Sequence, residues 1–258
     1  MILETKLNTP PPKRIISLVP SITELLFYLG LEESIVGITK FCIRPKDLIL
    51  TKTKIGGTKN INITKIKSLN PDLIIANKEE NVEAQIKTLA EEFSILLTDV
   101  DDLAGALDMI KNIGQLTNRI AKSNNLINII ENTFGQILLP TNKINTAYLI
   151  WKNPYMTVGG DTYINDMLNH CGLQNIFLNK KRYPEVEIDE IKSLNCKLLL
   201  LSTEPFPFKQ QHIEELKIEL PNTLIILVDG EMFSWYGSRL LYAAEYFKDL
   251  AIRINLIK

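Results

Sequence analysis

The most restrictive feature of the sequence is the proline-free stretch from Leu103 to Ile137, in which apolar residues recur every three or four positions. This spacing places them along one side of a helix. Gly114 and the polar pair Thr117-Asn118 interrupt the pattern, so we expect two consecutive helices. The second, from about Asn118 to Gln136, would be roughly 28 Å long and could reach across a small domain. We interpret it as a rigid connection between two lobes.

On both sides of this stretch, short apolar runs alternate with helical patterns. The predicted strands are Arg14–Val19, Ile35–Ile38, Leu73–Ala76 and Ile95–Thr98 before it, and Ala147–Trp151, Leu198–Ser202 and Leu224–Val228 after it. Alternation of this kind is typical of parallel α/β architecture. The predicted fold class is therefore α/β, with two Rossmann-like parallel-sheet lobes joined by one long backbone helix. The N-terminal lobe would contain residues 1–117, the connecting helix 118–138 and the C-terminal lobe 139–258.

An internal repeat supports the two-lobe interpretation. Ile66–Asn70 and Ile191–Asn195 have the same sequence, and an apolar run follows each of them within a few residues. Recurrence in the same helix-then-strand context indicates that one α/β plan occurs twice. Ser21 and Glu24 fit a capping box at the start of the first helix. We read the segment from Asp229 to Ser238 as a loop.

Composition excludes several classes of function. Lys and Arg total 29 against 30 for Asp and Glu, so the chain has no general attraction for nucleic acid. The sequence contains no run of about 18 apolar residues, the length that would be needed to span a membrane. Three scattered cysteines and two histidines predict neither a disulfide framework nor a metal site. The first residues lack a signal-peptide pattern, which indicates a cytoplasmic protein unless a leader precedes the given sequence.

The loops that follow the predicted strands carry the candidate binding residues, because open parallel sheets bind ligands at the carboxyl ends of their strands. Aromatic side chains there suit a large, flat, partly apolar ligand. The candidates of this kind are Tyr155, Tyr183, Phe206, Trp235 and Tyr236, whereas Trp151 fits core packing equally well. Arg44, Lys59, Arg182 and Arg239 could bind anionic groups, and surface solvation is the alternative. No nucleophile–base set or known catalytic motif accompanies them, so we predict no catalytic residues.

Several motifs, taken in order, resemble those of the cobalamin- and siderophore-type substrate-binding proteins of ABC importers. They are RIISLVPSITELLFYLG, FCIRP, GGTKN, SLNPDLIIANKEENVEAQ, MTVGGDTYINDMLNHCG, RYPEV and DGEMFSWYGSR. The resemblance covers about Arg14 to Phe247. It implies two α/β lobes on one helical backbone and a ligand held in the cleft between them.

The same resemblance implies roles for particular residues. At positions where cobalamin-binding members have aromatic residues, this chain has Asn77, Leu97 and Met156, while Tyr183 keeps the aromatic character. Members of the family dock on their permease through one acidic residue per lobe. The corresponding candidates are Glu83 in the first lobe and Asp189 or Glu190 in the second.

The sequence therefore predicts a binding protein, not an enzyme, that delivers a ferric siderophore, haem or cobalamin type of ligand to an ABC permease. The ligand could itself contain iron or cobalt, and no other cofactor is expected. We expect a monomer that binds no nucleic acid, periplasmic if a leader precedes the sequence. The alternatives are a cytosolic ligand carrier or sensor with the same fold and an enzyme that processes chelates.

Overall fold

A computed structural model describes residues 10–138, 140 and 142–254 of the chain. The chain forms two units that are discontinuous in sequence. Unit 1 contains the described residues up to Val100, with Ala104–Ile129 and Tyr236–Arg239. Unit 2 contains Asp101–Leu103, the described residues from Ile130 to Trp235, and those from Leu240 onwards.

Unit 1 is built around a parallel sheet with helices between its strands. Its strands are β1 (Ile15–Ser17), β2 (Ile35–Ile38), β3 (Thr53–Lys54), β4 (Leu73–Asn77) and β5 (Ile95–Thr98). They lie in the order β3-β2-β1-β4-β5, and every pair is parallel. The helices between them are α1 (Pro20–Tyr28), α2 (Ile63–Ser68) and α3 (Glu83–Ala90).

Two longer helices follow, α4 (Leu103–Leu116) and α5 (Ile120–Gly135). The predicted break between two consecutive helices is confirmed, and Asn118 there has a left-handed φ of 56°. With 16 residues, α5 is about 24 Å long. Its first ten residues belong to unit 1 and the rest to unit 2.

Unit 2 repeats the plan with one strand fewer. Its strands are β6 (Ile144–Leu149), β7 (Leu173–Asn175), β8 (Leu198–Ser202) and β9 (Leu224–Val228), in the parallel order β7-β6-β8-β9. Its helices are α6 (Tyr163–His170), α7 (Ile188–Ser193), α8 (Gln210–Glu219), α9 (Gly230–Ser234) and α10 (Leu240–Arg253). The equivalent strand pairs are β1/β6, β2/β7, β4/β8 and β5/β9. The predicted fold class, two parallel-sheet α/β lobes, is confirmed.

Strands β4 and β8 are apolar except for their last residues, Asn77 and Ser202, because both faces of each sheet are covered. Every residue of β4 and of β8 is buried. This continuous burial is typical of parallel sheets packed between helices. The repeated pentapeptide joins equivalent elements: each copy ends a six-residue helix, and Asn70 and Asn195 both adopt left-handed φ angles before the next strand.

Two local predictions are wrong. Ser21 does not cap α1, because the helix begins one residue earlier at Pro20, with extended Val19 as its N-cap. Proline suits the first helical position, where its missing N–H is not needed. The Asp229–Ser238 segment is not all loop, since Asp229 accepts a bond from the Glu231 amide and starts α9. Strands β3 and β7, which the sequence analysis missed, are short edge strands with few apolar residues.

The predicted domain limits stay a prediction. Their outer ends, Met1, Leu139 and Lys258, lie outside the described residues. Within the described part, unit 1 takes a short segment from late in the chain, Tyr236–Arg239.

The close packing of α4 on α5 in unit 1 depends on Gly114. A Cβ atom at this position would lie 2.0 Å from the Ser123 hydroxyl oxygen and 2.4 Å from its Cβ. We expect Gly114→Ala to lower the free energy of unfolding by about 1–3 kcal/mol through overpacking. This loss would occur although alanine is the better helix former.

Urea or thermal unfolding followed by circular dichroism measures this effect. Gly135→Ala is the matched control, because nothing lies within 4 Å of a Cβ there and the variant should be neutral or slightly more stable. Adding Ser123→Gly to Gly114→Ala should restore most of the lost stability. Equal stability of the two single alanine variants would contradict this account of the helix contact.

Candidate functional site

In unit 1 the loop after β2 presents the most exposed aromatic side chain near a strand end. Phe41 is 51% exposed, and the Lys40 ammonium lies 5.0 Å from the centre of its ring. The next residue, Cys42, is buried and lies 3.1 Å from the Thr23 hydroxyl and 3.3 Å from the Thr39 hydroxyl. These contacts anchor the loop and leave Phe41 at the surface. Arg44, a predicted ligand contact, is half-exposed in the same loop.

A network of amides fixes the loop after β4. Asn77 is only 2% exposed, and its Nδ2 donates to the carbonyl and the hydroxyl of Thr98, each at 3.2 Å. Its Oδ1 accepts bonds from the amides of Glu79 and Glu80 at 2.8 and 3.2 Å. The structure therefore gives Asn77 a role in shaping this loop, and ligand contact by Asn77 stays a prediction.

Lys59, another predicted contact, is exposed, and its ammonium donates to the Glu79 carbonyl. Burial raises the pKa of the neighbouring Glu80 carboxyl above its usual value; Lys59 opposes this shift and Glu79 adds to it. The end of β4 thus carries the charged side chains of Glu79 and Glu80, together with Lys59, whose position is fixed by its bond to the Glu79 carbonyl.

In unit 2 the loops after β6 and β7 come together. Met156 forms isolated bridges with both Trp151 and Glu185, and the Thr157 amide donates to the Pro184 carbonyl at 3.0 Å. Tyr155 packs against the unit 2 core. Tyr183, two residues before Glu185, is half-buried. The predicted contacts Tyr155, Met156 and Tyr183 therefore belong to one assembled surface.

Phe206 joins this surface from the loop after β8. Its amide donates to the Ile150 carbonyl at 3.2 Å, and its ring centre lies 5.8 Å from that of Trp151. Phe208 and His212 stack behind it, with ring centres 4.8 and 5.5 Å away. Edge-to-face contacts of this kind hold aromatic rings in fixed orientations. Trp151 is 40% exposed, so one face of the cluster is open to solvent.

Trp235 has a different environment from the one the sequence predicts. It is only 7% exposed, and its indole N–H donates to Glu204 Oε1 at 3.0 Å. The Ser234 hydroxyl donates to the same oxygen at 2.7 Å. Burial raises the pKa of Glu204; the bonds from Ser234 and Trp235 oppose the shift, and Glu231 and Asp229 add to it. Trp235 packs inside the protein here, and ligand contact by Trp235 stays a prediction.

Tyr236 and Arg239 belong to the segment that unit 1 takes from late in the chain. Both are buried, and the Arg239 guanidinium forms a two-pronged ion pair with the Glu24 carboxylate on α1, with one arm at 3.2 Å. Bidentate pairs of this kind fix geometry as well as charge. The structure thus uses Arg239 to attach its segment to α1. Neither residue is presented at an exposed loop tip.

The predicted docking residues occupy unlike positions in the two units. Glu83 is the first residue of α3, exposed and paired with Lys87 at 2.7 Å. Asp189 and Glu190 lie on α7, where they pair with Lys192 and Lys180. By strand order, however, α7 is the counterpart of α2, and the counterpart of α3 is α8. The first turn of α8 contains no acidic residue.

The sequence analysis did not select Lys40 or Phe41, two exposed residues beside the end of β2, and left Trp151 open between ligand contact and core packing. The position of Lys40 and Phe41 just after a predicted strand is the signal that could have identified them. A pocket of about 400 Å³ lies at the opposite, amino edge of the unit 2 sheet, lined by the starts of β6, β8 and β9. Among the described residues, no cluster of three or more metal-binding side chains is found, and none of the helices combines the length and the hydropathy of a membrane span.

Comparison with known proteins identifies the family. The model of the periplasmic binding protein family matches residues 15–219, most of the chain. The chain belongs to the periplasmic binding protein family. The match starts at the first residue of β1 and extends through the end of α8.

The chain is also similar to individual substrate-binding and vitamin-binding proteins. It is 29% identical over 196 residues to an uncharacterised ABC transporter substrate-binding lipoprotein of Bacillus subtilis (strain 168), covering 71% of this chain and 62% of that protein. It is 24% identical over 197 residues to a vitamin B12-binding protein of Vibrio parahaemolyticus, covering 74% of this chain and 71% of that protein.

A solved structure superposes on this chain over nearly its whole length. A possible iron-binding (periplasmic solute-binding) protein from Staphylococcus epidermidis superposes with a TM-score of 0.78 and 27% identity. The match covers 95% of this chain and 99% of that one. The fold is therefore that of a periplasmic binding protein.

The hydrogen bond from the Trp235 indole to Glu204 can be tested through the pH dependence of Trp235 fluorescence. In a Trp151→Phe background, we expect Trp235 emission to titrate with a midpoint above 4.5, the usual pKa of a glutamate. The folded state holds the Glu204 proton more tightly than the unfolded state. Stability from this group is therefore greatest below pH 4.5 and declines as pH rises through the raised folded pKa.

Glu204→Gln should abolish the titration of Trp235 emission, because the side-chain oxygen still accepts both bonds but no longer ionises. Glu80→Gln is the control: it removes another carboxyl with a raised pKa, in unit 1, and should leave the Trp235 titration intact. If Trp235 emission still titrates with pH in Glu204→Gln, a group other than Glu204 causes the change in emission.

Proposed function

We propose that the protein is the substrate-binding component of an ABC importer and captures a metal chelate or corrinoid-like ligand outside the cytoplasmic membrane. The observation that carries this proposal is the family match over residues 15–219, which includes the strand-end loops with their aromatic side chains. The vitamin B12-binding and possible iron-binding relatives support the ligand class. The lipoprotein relative supports the location and the transporter.

The unit 2 surface has the chemistry such a ligand needs. Trp151, Tyr155, Met156, Tyr183 and Phe206 present aromatic and thioether groups at the carboxyl ends of β6, β7 and β8. Rigid aromatic side chains supply large contact areas at low entropic cost. In unit 1, Phe41, Arg44 and Lys59 are the accessible candidates after β2 and near β4. The expectation that both units contact one ligand stays a prediction.

The protein's role in this proposal is capture and delivery without chemical change. The exposed groups at the strand ends can stack and pair with a ligand, and the half-buried Glu204 is bonded to Ser234 and Trp235. We expect the protein to act as a monomer and to release its ligand intact to the permease. Recovery of a chemically altered chelate after incubation would replace this role with an enzymatic one.

Binding of defined chelates tests the proposal directly. Purified protein should quench or shift its tryptophan emission when titrated with one or more of cyanocobalamin, haemin and a ferric siderophore. A dissociation constant of about 1 µM or tighter, equivalent to roughly 8 kcal/mol, is expected for the physiological class. Native mass spectrometry of protein from its own host should show the same class bound. No binding to any chelate by either method would refute the proposal.

The two tryptophans should respond differently to substitution. Trp151→Ala removes a 40% exposed ring and should weaken binding of the best chelate by more than about 1 kcal/mol, with little change in stability. Trp235→Ala removes a buried ring and a hydrogen bond, so it should lower the free energy of unfolding by about 3–5 kcal/mol. Calorimetry and chemical unfolding measure both effects.

Loss of stability without loss of affinity in Trp235→Ala would assign that residue to packing alone. Unchanged affinity in Trp151→Ala would remove the unit 2 surface from the binding site.

Glu83 is the proposed unit 1 contact with the permease. Glu83→Arg should leave chelate affinity unchanged but reduce uptake severalfold in vesicles that contain the cognate permease and ATPase, because it reverses an exposed charge. Glu91→Arg, at the other end of α3 and also exposed, is the matched control. Normal uptake with Glu83→Arg would reject this contact.

A further inference from the structure

In each unit one loop carries a cationic side chain that lies over an aromatic ring. The loop follows β2 in unit 1 and β7 in unit 2. In unit 1 the loop after β2 carries Lys40 and Phe41, with the ammonium 5.0 Å from the ring centre. In unit 2 the loop after β7 carries Arg182 and Tyr183, with the guanidinium carbon 5.8 Å from the ring centre. Because β2 and β7 are equivalent in strand order, the two pairs lie on equivalent loops of the fold.

A double-glycine segment supports the pair in unit 1. The turn at Gly56-Gly57 is closed by the Gly57 amide, which donates to the Asn60 carbonyl at 2.9 Å, and the Lys40 amide donates to the Gly56 carbonyl at 2.8 Å. A Cβ on Gly57 would lie 3.1 Å from the Phe41 ring and 3.4 Å from the Lys40 Cε. The missing side chain therefore lets both groups rest on the turn.

A second double-glycine segment supports the pair in unit 2. The Gly159 amide donates to the Arg182 carbonyl at 2.7 Å, and a Cβ on Gly159 would lie 2.5 Å from the Lys180 carbonyl oxygen. The Arg182 amide donates to Asp161 at 2.6 Å, and Arg182 has a left-handed φ of 57°. A backbone bond and the Asp161 carboxylate thus fix the loop, while the Arg182 side chain is exposed.

Both pairs lie in short runs of the chain that are rich in basic residues. From residue 40 to residue 54 the chain has Lys40, Arg44, Lys46, Lys52 and Lys54 against Asp47 alone. From residue 180 to residue 185 it has Lys180, Lys181 and Arg182 against Glu185. Glu190 pairs with Lys180 at 2.8 Å, so the local excess of positive charge is larger on the loop after β2 than on the loop after β7. Such local fields favour anionic ligands.

We propose that the Lys40–Phe41 and Arg182–Tyr183 pairs select a ligand whose apolar body carries anionic groups such as carboxylates, in preference to an uncharged, amide-decorated one. The ring offers an apolar face, and the adjacent cation offers a charge-assisted hydrogen bond to an anionic group at the edge of that face. This inference rests on the proposed function and specifies the ligand chemistry that the loops after β2 and β7 recognise.

Two matched pairs of probes isolate the charge of the ligand. Dicyanocobyrinic acid carries carboxylates where dicyanocobinamide carries amides, on the same corrin ring. Haemin carries two carboxylates, and in its dimethyl ester both are replaced by uncharged methyl ester groups. Affinities of the full-length protein for all four are measured by fluorescence titration at low and high salt. The variants are Lys40→Gln and Arg182→Gln, with Lys65→Gln on α2 and Lys217→Gln on α8 as exposed-lysine controls.

The carboxylate form of at least one pair should bind about tenfold or more tightly than its uncharged counterpart, and added salt should reduce the difference. Lys40→Gln and Arg182→Gln should each weaken the carboxylate form about fivefold and leave the uncharged form within twofold of wild type. The two control variants should bind all four probes as wild type does.

Equal or tighter binding of the uncharged forms would overturn the inference and leave the proposed function standing. An equal loss for charged and uncharged probes would also overturn it, because it would show a structural effect. If only one of the two variants weakens the carboxylate form and spares the uncharged form, the inference fails for the unit that carries the other variant. Absence of binding to all four probes, to cyanocobalamin and to a ferric siderophore would overturn the proposed function and this inference with it.

Discussion

Parallel pairing of strands is the constraint on which the other features depend. When every strand of a sheet points the same way, every loop that follows a strand lies at one edge. In unit 1 this edge collects Phe41, the Asn77 loop and the turn at Gly56-Gly57; in unit 2 it collects Trp151, Tyr183 and Phe206. The apolar interiors of β4 and β8 give each sheet the buried faces that keep these loops in place.

Backbone bonds and buried amide side chains anchor these loops, together with a few exposed groups such as Lys59 and Asp161. Asn77 ties its loop to Thr98, and the Thr157 and Gly159 amides tie two loops of unit 2 together. A site prepared in this way loses little conformational entropy when a ligand binds. The exposed groups are then left to determine which ligand is bound. This division explains why several polar residues near the strand ends are buried while the nearby aromatics Phe41 and Trp151 are exposed.

Much of this arrangement follows from local sequence patterns. Apolar runs predicted the central strands, helical spacing predicted α4 and α5 with the break between them, and the repeated pentapeptide marked equivalent elements in both units. Edge strands β3 and β7 were missed because two or three residues leave no periodicity to detect. The environments of Trp235 and Arg239 were beyond local patterns, since Arg239 pairs with a carboxylate 215 positions away. Burial that arises from long-range contacts cannot be read from a loop-like composition.

Hydrogen–deuterium exchange, with and without the tightest-binding chelate, tests the central claim most directly. The claim is that the carboxyl edges of the parallel sheets bind the ligand. The account predicts slower exchange on binding in the loops around residues 40–45, 151–157 and 180–185. It predicts no change at the amino edge of the unit 2 sheet, where Lys143, Asn195 and Lys197 line a separate pocket. Protection confined to that amino edge, with the strand-end loops unaffected, would contradict it.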